Sequence, residues 1–99
     1  FHLHTSGVAP TWLARVPASK IVTVHINDAP ASPVHLLKDS DRVIPGQGVI
    51  DLAGFFASLR QIGYAGAVSV ELFSETLKAM PSLDAARLAE RGCRTFIQR

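Results

Sequence analysis

Two ionisable residues, His25 and Glu71, occupy matching positions in two short apolar segments of the sequence. The segments read IVTVHI over residues 21–26 and AVSVEL over residues 67–72. In each segment, every second position carries an aliphatic residue, two valines and then a larger one. The positions between them carry a small hydroxyl residue and then the ionisable residue. Because side chains alternate between the faces of a strand, His25 and Glu71 are predicted to lie on the polar face at strand ends. The repeat therefore predicts that both side chains point toward one centre.

An imidazole and a carboxylate at one centre indicate a metal site. A buried carboxylate is unfavourable unless it is paired, hydrogen-bonded or bound to a metal. Nitrogen and oxygen ligands together suit Zn, Mn, Fe or Co, whereas Mg prefers oxygen alone. The alternative is a structural pair, with a satisfied core histidine and a glutamate held by a neighbouring cation. The matched pattern favours the metal site, and because two ligands do not complete one, further ligands are expected upstream.

The two segments are predicted to be parallel strands of an α/β protein. The run at 21–26 is rich in β-branched residues, which is typical of a strand buried on both faces, with Val22, Val24 and Ile26 against helices. The irregular segment 27–49 and a helix after it would form the crossover that parallel strands require. A loop this long in a compact domain is typical of a lid or a binding loop.

Capping residues and apolar periodicity predict the remaining elements. Asp51 can cap a helix that ends at Gly63, and Ser82 can cap a final helix. The sequence 10–16 predicts a short helix that begins with proline. Phe1–His4 is predicted to be the end of a strand. The apolar stripe of the helix after Asp51 consists of Leu52, Phe55, Phe56, Leu59 and Ile62.

Composition predicts one small globular domain without a polyanionic partner. The chain has 99 residues, of which 47% are hydrophobic and 18% charged, with a net charge of +2. This charge is too small to argue for nucleic acid or an anionic membrane. The arginines near the end are interpreted as a solvated helix face, since a nucleic-acid footprint forms a continuous patch. They are Arg87, Arg91, Arg94 and Arg99.

Cys93 is the single cysteine of the sequence, which excludes an intramolecular disulfide and suits a reducing compartment. It falls within an apolar helical pattern, so it is predicted to be a small core residue and not a nucleophile. No stretch is long enough to span a membrane. The predicted location is the cytoplasm.

Three stretches of the sequence resemble the xylose isomerase-like TIM barrels. They are Val24–Ala29 (VHINDA), Asp41–Asp51 (DRVIPGQGVID) and Gly63–Glu71 (GYAGAVSVE). More narrowly, the chain is similar to the sugar phosphate isomerase/epimerase group, which also contains dehydroshikimate dehydratases and endonuclease IV-type DNA repair enzymes. The resemblance covers essentially the whole chain. It implies that residues 1–99 are the C-terminal portion of one (β/α)8 domain, with alternating parallel strands and helices, and that the N-terminal part is missing.

The resemblance also implies a role for each matching residue. His25 resembles the metal-binding histidine of a late barrel strand. Glu71 resembles the last metal ligand, a catalytic glutamate that takes part in proton transfer. Arg42 and His2 resemble residues that bind substrate, the latter as the end of an Asp-x-x-His motif. The aspartate ligand of that motif, and a further glutamate ligand, would lie before residue 1.

Simpler interpretations of these residues stay open. His2 could cap an exposed sheet end, and Arg42 could pair with Asp39 or Asp41 in solvent, which is a weak interaction. The planar guanidinium favours recognition of a sugar or carboxylate instead.

The residues that flank the predicted metal histidine have smaller expected roles. Asn27 and Asp28 could orient the loop or hydrogen-bond to His25. Gly46-Gln47-Gly48 lacks the ending of a phosphate loop and is predicted to form a tight turn.

The implied function is that of a divalent-metal-dependent sugar or sugar phosphate isomerase or epimerase, with Mn, Co, Zn or Mg as cofactor. Proton transfer would pass through an enediolate stabilised by the metal. The expected partner is a small sugar, sugar phosphate or cyclic polyol or keto compound, and a homo-oligomer is left open. A dehydratase on the same scaffold would use the same enolate and expel water. Taken alone, the 99-residue chain cannot close an eight-stranded barrel and is expected to be inactive.

A DNA repair nuclease is the competing function. Endonuclease IV-like members carry Asp-Arg-His in the loop, where this chain has Asp41-Arg42-Val43. Valine cannot ligate zinc, and no basic patch compensates for phosphate binding. The sequence therefore disfavours the nuclease.

Overall fold

Two parallel strands lie at the centre of the chain, whose structure is a computed structural model that describes residues 1–98. Strand β1 is Thr23–Ile26 and strand β2 is Ala67–Val70, and they form a two-stranded sheet. An irregular segment and a helix connect them, so the predicted α/β alternation is confirmed. Both strands are shorter than the apolar runs that predicted them.

Four α-helices and four short 3-10 helices accompany this sheet within residues 1–98. The α-helices are α1 (His2–Thr5), α2 (Leu52–Gln61), α3 (Glu75–Lys78) and α4 (Ser82–Ile97). Short 3-10 helices are Pro10–Arg15, Ala18–Lys20, Val34–Leu36 and Asp39–Asp41. Within residues 1–98, no helix has both the length and the hydrophobicity that crossing a bilayer requires.

The core lies on one face of the sheet, which we call the outer face. Val24 and Ile26 are 6% and 3% exposed, and they pack against α2 and α4. The predicted apolar stripe of α2 supplies most of the rest of this core. The buried cluster consists of Val24, Ile26, Leu52, Phe56, Leu59 and Cys93.

Local signals set the ends of α2 as the sequence predicted. The Asp51 side chain accepts a hydrogen bond from the Gly54 backbone N–H at 2.9 Å, which satisfies one of the free donors of the first turn. Gly63 follows the helix with a φ of 70°, a left-handed conformation that glycine adopts without steric penalty. Contacts local to α2 therefore set where this helix begins and ends.

The opposite face of the sheet, the inner face, carries Thr23 and His25 and is exposed. Within residues 1–98, β1 is buried on its outer face, and the predicted burial of its inner face would need elements beyond these residues. Val22, predicted to join Val24 in the core, is 90% exposed. It precedes the first paired residue of β1, so the alternation of a strand does not yet apply to it.

The register of the two strands differs from the alignment of their sequence patterns. Thr23 pairs with Ala67 and His25 with Ser69, whereas the patterns match His25 to Glu71. The offset is two residues, and residues two apart share a face. His25 and Glu71 therefore stay on the same face, as predicted.

Two expectations about the ends of elements are wrong. Phe1–His4 is not a strand end, because residues His2–Thr5 form α1, in which the Thr5 N–H bonds to the Phe1 carbonyl at 2.9 Å. Four residues are too few for periodicity to separate helix from strand. Ser82 is the first residue of α4 and not its cap, which is Pro81. The short helix predicted over 10–16 is present as a 3-10 helix.

The outward surface of α4 agrees with the solvated-face interpretation. Arg87, Arg91 and Arg94 are exposed, and Arg87 and Arg94 face Asp84 and Glu90 one turn away. Arg99 lies outside the described residues. Cys93 faces the core and is 5% exposed, as predicted.

Candidate metal and substrate site

The carboxyl ends of β1 and β2 bring His25 and Glu71 together. The Glu71 N–H donates to the Ile26 carbonyl at 3.0 Å, which extends the ladder by one residue and fixes the glutamate backbone. His25 Nδ1 lies 3.2 Å from Glu71 Oε1. The two side chains are 51% and 36% exposed, so they are accessible to a ligand on the inner face.

This pair fits two ligands of one metal ion. Protein nitrogen and oxygen atoms bind Zn at about 2.0–2.2 Å, so two ligands of a tetrahedral ion lie about 3.4 Å apart. The 3.2 Å separation of His25 Nδ1 and Glu71 Oε1 is close to that value. Among residues 1–98, no group of three or more His, Cys, Asp or Glu side chains could hold a metal. The described chain thus offers two ligand atoms to a metal.

Arg42 holds the other oxygen of Glu71. Its Nη1 donates to Glu71 Oε2 at 2.6 Å, and its Nη2 donates to Asp39 Oδ1 at 2.6 Å. The Arg42 side chain is only 3% exposed. The pairing with Asp39 that sequence left open is therefore present, but the guanidinium is buried beside Glu71 and not in solvent. Arg42 fixes the rotation of the Glu71 carboxylate so that Oε1 faces His25.

Two aromatic rings flank the same guanidinium. The Arg42 Cζ atom lies 4.8 Å from the centroid of Phe1 and 5.0 Å from that of Phe73. Such contacts favour the cation electrostatically and shield its ion pairs from water. No role was predicted for Phe73. It follows Glu71 by two residues, a spacing that places both side chains on one face of an extended segment.

His2 completes a continuous row of the four residues singled out from sequence. Its Nε2 lies 3.3 Å from Arg42 Nη2. It reaches this place from α1 and not from the predicted strand end. The row runs His25, Glu71, Arg42, His2. These residues line a cleft of about 380 Å³, which suits a small molecule.

Asn27 and Asp28, next to this row, do not contact His25 as one hypothesis expected. Asn27 Nδ2 donates to the Glu71 carbonyl at 3.3 Å and ties the ends of the two strands together. The Asp28 side chain instead accepts backbone N–H groups of the following segment, which agrees with the alternative that it orients the loop. Two buried polar atoms have no partner within residues 1–98, Asn27 Oδ1 and Arg42 Nε.

Comparison with known proteins identifies the family. A model of the xylose isomerase-like TIM barrel family matches residues 1–99. The chain belongs to this family. The fold predicted from sequence is confirmed, because the paired strands and their covering helices are part of a TIM barrel.

Curated relatives in the xylose isomerase-like family include enzymes of two kinds. An inosose isomerase of Bacillus licheniformis is 38% identical over 90 residues, which are 91% of this chain and 32% of that protein. A 3-dehydroshikimate dehydratase of Pseudomonas putida is 36% identical over 84 residues, which are 83% of this chain and 13% of that protein. The chain spans about a third of the length of the isomerases it matches.

Solved structures of xylose isomerase-like proteins match the chain closely. A crystal structure of the IOLI protein with a binding zinc atom superposes with a TM-score of 0.91 at 35% identity, covering 98% of this chain and 35% of that one. A xylose isomerase domain protein from Alicyclobacillus acidocaldarius gives a TM-score of 0.83 at 35% identity, covering 98% of this chain and 34% of that one.

Proposed function

We propose that residues 1–99 form the C-terminal part of one barrel domain, in a divalent-metal-dependent isomerase of a small cyclic polyol ketone. The observation that carries the proposal is the 3.2 Å approach of His25 Nδ1 and Glu71 Oε1 at neighbouring strand ends. The inosose isomerases at 37–39% identity support isomerisation more than epimerisation. The remaining strands and metal ligands come from the rest of the protein.

Each residue of the row has a proposed part in proton transfer. A divalent metal, with Mn, Co, Zn and Mg as candidates, would polarise the substrate carbonyl and acidify the neighbouring C–H group. The zinc of the solved relative supports a metal of this kind. Glu71 takes the proton from the carbon next to the carbonyl and helps return it to the former carbonyl carbon, through an enediolate. His25 and Arg42 hold Glu71 for this transfer.

Substrate binding is assigned to the polar N–H groups on the inner face. The exposed His2 ring presents a nitrogen that suits the oxygens of a polyol or ketone. Arg42, expected from sequence to bind substrate, is 3% exposed and donates to Glu71 and Asp39, so its proposed part is to orient Glu71. The net charge of +2 gives no reason to propose a nucleic acid as substrate. We further propose that the enzyme acts in the cytoplasm, where its single thiol would stay reduced.

Glu71→Gln in the full-length protein tests the catalytic assignment. The amide cannot accept the substrate proton, so kcat is expected to fall by about 1,000-fold or more, near the upper range for general acid–base groups. The assay follows inosose-type ketones, ketoses and dehydroshikimate. Glu75→Gln is the matched control, because the Glu75 side chain is 82% exposed and pairs with Lys78 on the surface. Glu71→Gln with activity like that of the control would refute the assignment.

His25→Ala tests the metal assignment separately. Loss of one of two ligands from this chain is expected to lower metal content below half of the wild-type value after dialysis, measured by elemental analysis. His35→Ala, in the exposed 3-10 helix Val34–Leu36, is the matched control. Unchanged metal occupancy in His25→Ala would rule out the proposed site.

A dehydratase is the second candidate, and relatives at 36% and 38% identity favour it. It would use the same Glu71 and the same enolate but expel a hydroxyl group as water. The two functions differ in their products. Loss of water from dehydroshikimate creates a conjugated double bond that ultraviolet absorbance detects, whereas isomerisation leaves the molecular mass unchanged.

A further inference from the structure

We propose that Asp28 is a positioning residue that holds the loop bearing Arg42 against the ends of the strands. The inference rests on the proposed function, because the loop matters for catalysis only if Arg42 serves the site. Asp28 is 1% exposed, which makes it the most buried charged side chain among residues 1–98. A carboxylate buried this deeply is unfavourable unless its oxygens are satisfied.

Four backbone N–H groups satisfy the Asp28 carboxylate. Oδ1 accepts from Ala29 and Ile50 at 2.9 Å each, and Oδ2 accepts from Gly46 and Gly48 at 3.0 Å each. A carboxylate offers about four lone-pair positions, so its accepting capacity is filled. Hydrogen bonds of this kind, to an ionised acceptor, are stronger than neutral ones. One side chain therefore closes the loop across the whole of its final turn.

Gly48 is required for this closure because its backbone lies close to Asp28 and Ala29. A Cβ atom at position 48 would lie 2.2 Å from the Ala29 carbonyl oxygen and 2.4 Å from Asp28 Oδ1. Real Cβ atoms essentially never come so near to backbone oxygen. The tight turn expected at Gly46-Gln47-Gly48 is thus built around the Asp28 carboxylate, and a larger residue at position 48 would displace it.

The backbone of Asp28 connects the closed loop to Arg42. The Asp28 N–H donates to the Val43 carbonyl, and the Val43 N–H donates to the Asp28 carbonyl, both at 2.9 Å. Val43 directly follows Arg42, whose guanidinium lies 2.6 Å from Glu71. Asp28 also follows Asn27, which binds the Glu71 backbone. A shift of Asp28 would therefore move Arg42 relative to Glu71.

Asp28→Asn is the sharpest test, because the amide has the same shape but only one accepting oxygen. Its NH2 group would face two backbone N–H groups, so about half of the hydrogen bonds would be lost. We expect kcat/KM of the full-length protein to fall by about 10- to 100-fold, as for residues that orient a catalytic group. Metal content is expected to fall less than in His25→Ala, because Asp28 bonds to neither His25 nor the Glu71 side chain and acts on Glu71 through Arg42.

Asp51→Asn is the matched control. Asp51 also accepts a backbone N–H but is exposed, and asparagine caps a helix as well as aspartate does. Its activity is expected to equal that of the wild type. Gly48→Ala should reproduce the effect of Asp28→Asn from the other side of the same contact. Activity within about twofold of the wild type in both Asp28→Asn and Gly48→Ala would overturn the inference.

A double-mutant cycle separates positioning from loss of stability. If Asp28 acts through Arg42, Asp28→Asn added to Arg42→Ala should cost little further activity. A purely structural role would give the same additional loss in both backgrounds, and that additive result would refute positioning. Activities are compared per folded molecule, below the unfolding transition of every variant.

Amide hydrogen exchange keeps the inference testable even if no substrate is turned over. Exchange at Gly46, Gly48 and Ile50 is expected to accelerate by at least about tenfold in Asp28→Asn, while the amides within α2 stay protected. Unchanged exchange at the three loop amides would overturn the inference on its own. If the wild type has no isomerase activity but exchange at the three amides is faster in Asp28→Asn, the proposed function is refuted. The closure of the loop by Asp28 is then still established.

Discussion

The two faces of the small sheet differ in what covers them. On the outer face, Val24 and Ile26 are packed under α2 and α4 and almost inaccessible. On the inner face, one residue away along the same strand, His25 is half exposed and meets Glu71 across the sheet. A single alternating pattern thus places the packed core on one face and the residues proposed for chemistry on the other.

This difference teaches that substitutions on the two faces should fail in different ways. Removing apolar volume from the outer face leaves a cavity in a close-packed core and lowers the free energy of unfolding. Changing a polar group on the inner face removes a hydrogen bond or a candidate ligand and takes little apolar volume from the core. Stability and activity measured in parallel on the full-length protein therefore distinguish the two faces.

The largest effect on stability is expected for Phe56→Ala on the outer face. Phe56 is 4% exposed and stacks on Phe96, with ring centroids 6.1 Å apart. Truncating a buried phenylalanine typically lowers the free energy of unfolding by about 3–5 kcal/mol. Chemical denaturation measures this loss, and kcat per folded molecule should not change. Leu36→Ala, at a side chain that is 61% exposed, is the control and should stay within about 0.5 kcal/mol.

A loss below about 1 kcal/mol in Phe56→Ala would contradict the assignment of the core to this face. A loss of activity per folded molecule as large as that of Glu71→Gln would contradict the separation of the two faces.

Arg42→Lys should give an intermediate effect, confined to the inner face. Lysine cannot reproduce the planar fork that reaches Glu71 and Asp39 at 2.6 Å each. Hydrogen bonds to charged groups contribute about 1.5–3 kcal/mol, so kcat/KM is expected to fall by about 10- to 100-fold. Steady-state kinetics measures the change, with Arg87→Lys on the surface of α4 as control. Equal kinetics in Arg42→Lys and its control would show that the guanidinium does not orient Glu71.

The sequence predicted which residues share the inner face but not how they meet. Alternation keeps His25 and Glu71 on one face for every register that differs by an even number of residues, so their shared face could be predicted from matching sequence patterns. The two-residue offset between β1 and β2 could not, because it depends on strand stagger, which a barrel requires and a single strand does not encode. Local sequence patterns therefore predict which residues come together better than they predict the distances and register between them.

The burial of Arg42 was equally beyond local sequence. It depends on the closure of the loop by Asp28, whose carboxylate bonds to Gly46, Gly48 and Ile50, 18 to 22 residues away. Nothing in the immediate neighbourhood of Arg42 indicates that contact. The short helix α1 was missed for a different reason, because its four residues carry no periodicity that separates a helical turn from a strand.

The smallest effect is expected at Cys93, which reports whether the outer layer is closed. Burial raises the pKa of the Cys93 thiol, and the nearby Glu90 carboxylate raises it further. Since the thiolate is the reactive form, native Cys93 should react with a thiol reagent at pH 7 at least about tenfold more slowly than in denatured protein. Because the pKa is raised, the folded state favours the protonated Cys93 thiol. Its contribution to stability is therefore complete below the pKa of the unfolded thiol and is lost as pH rises through the folded pKa. Labelling as fast as in the denatured protein would show that α4 leaves the outer face. Slow labelling, together with full activity of Cys93→Ala, would show that the thiol packs in the core and takes no part in the reaction.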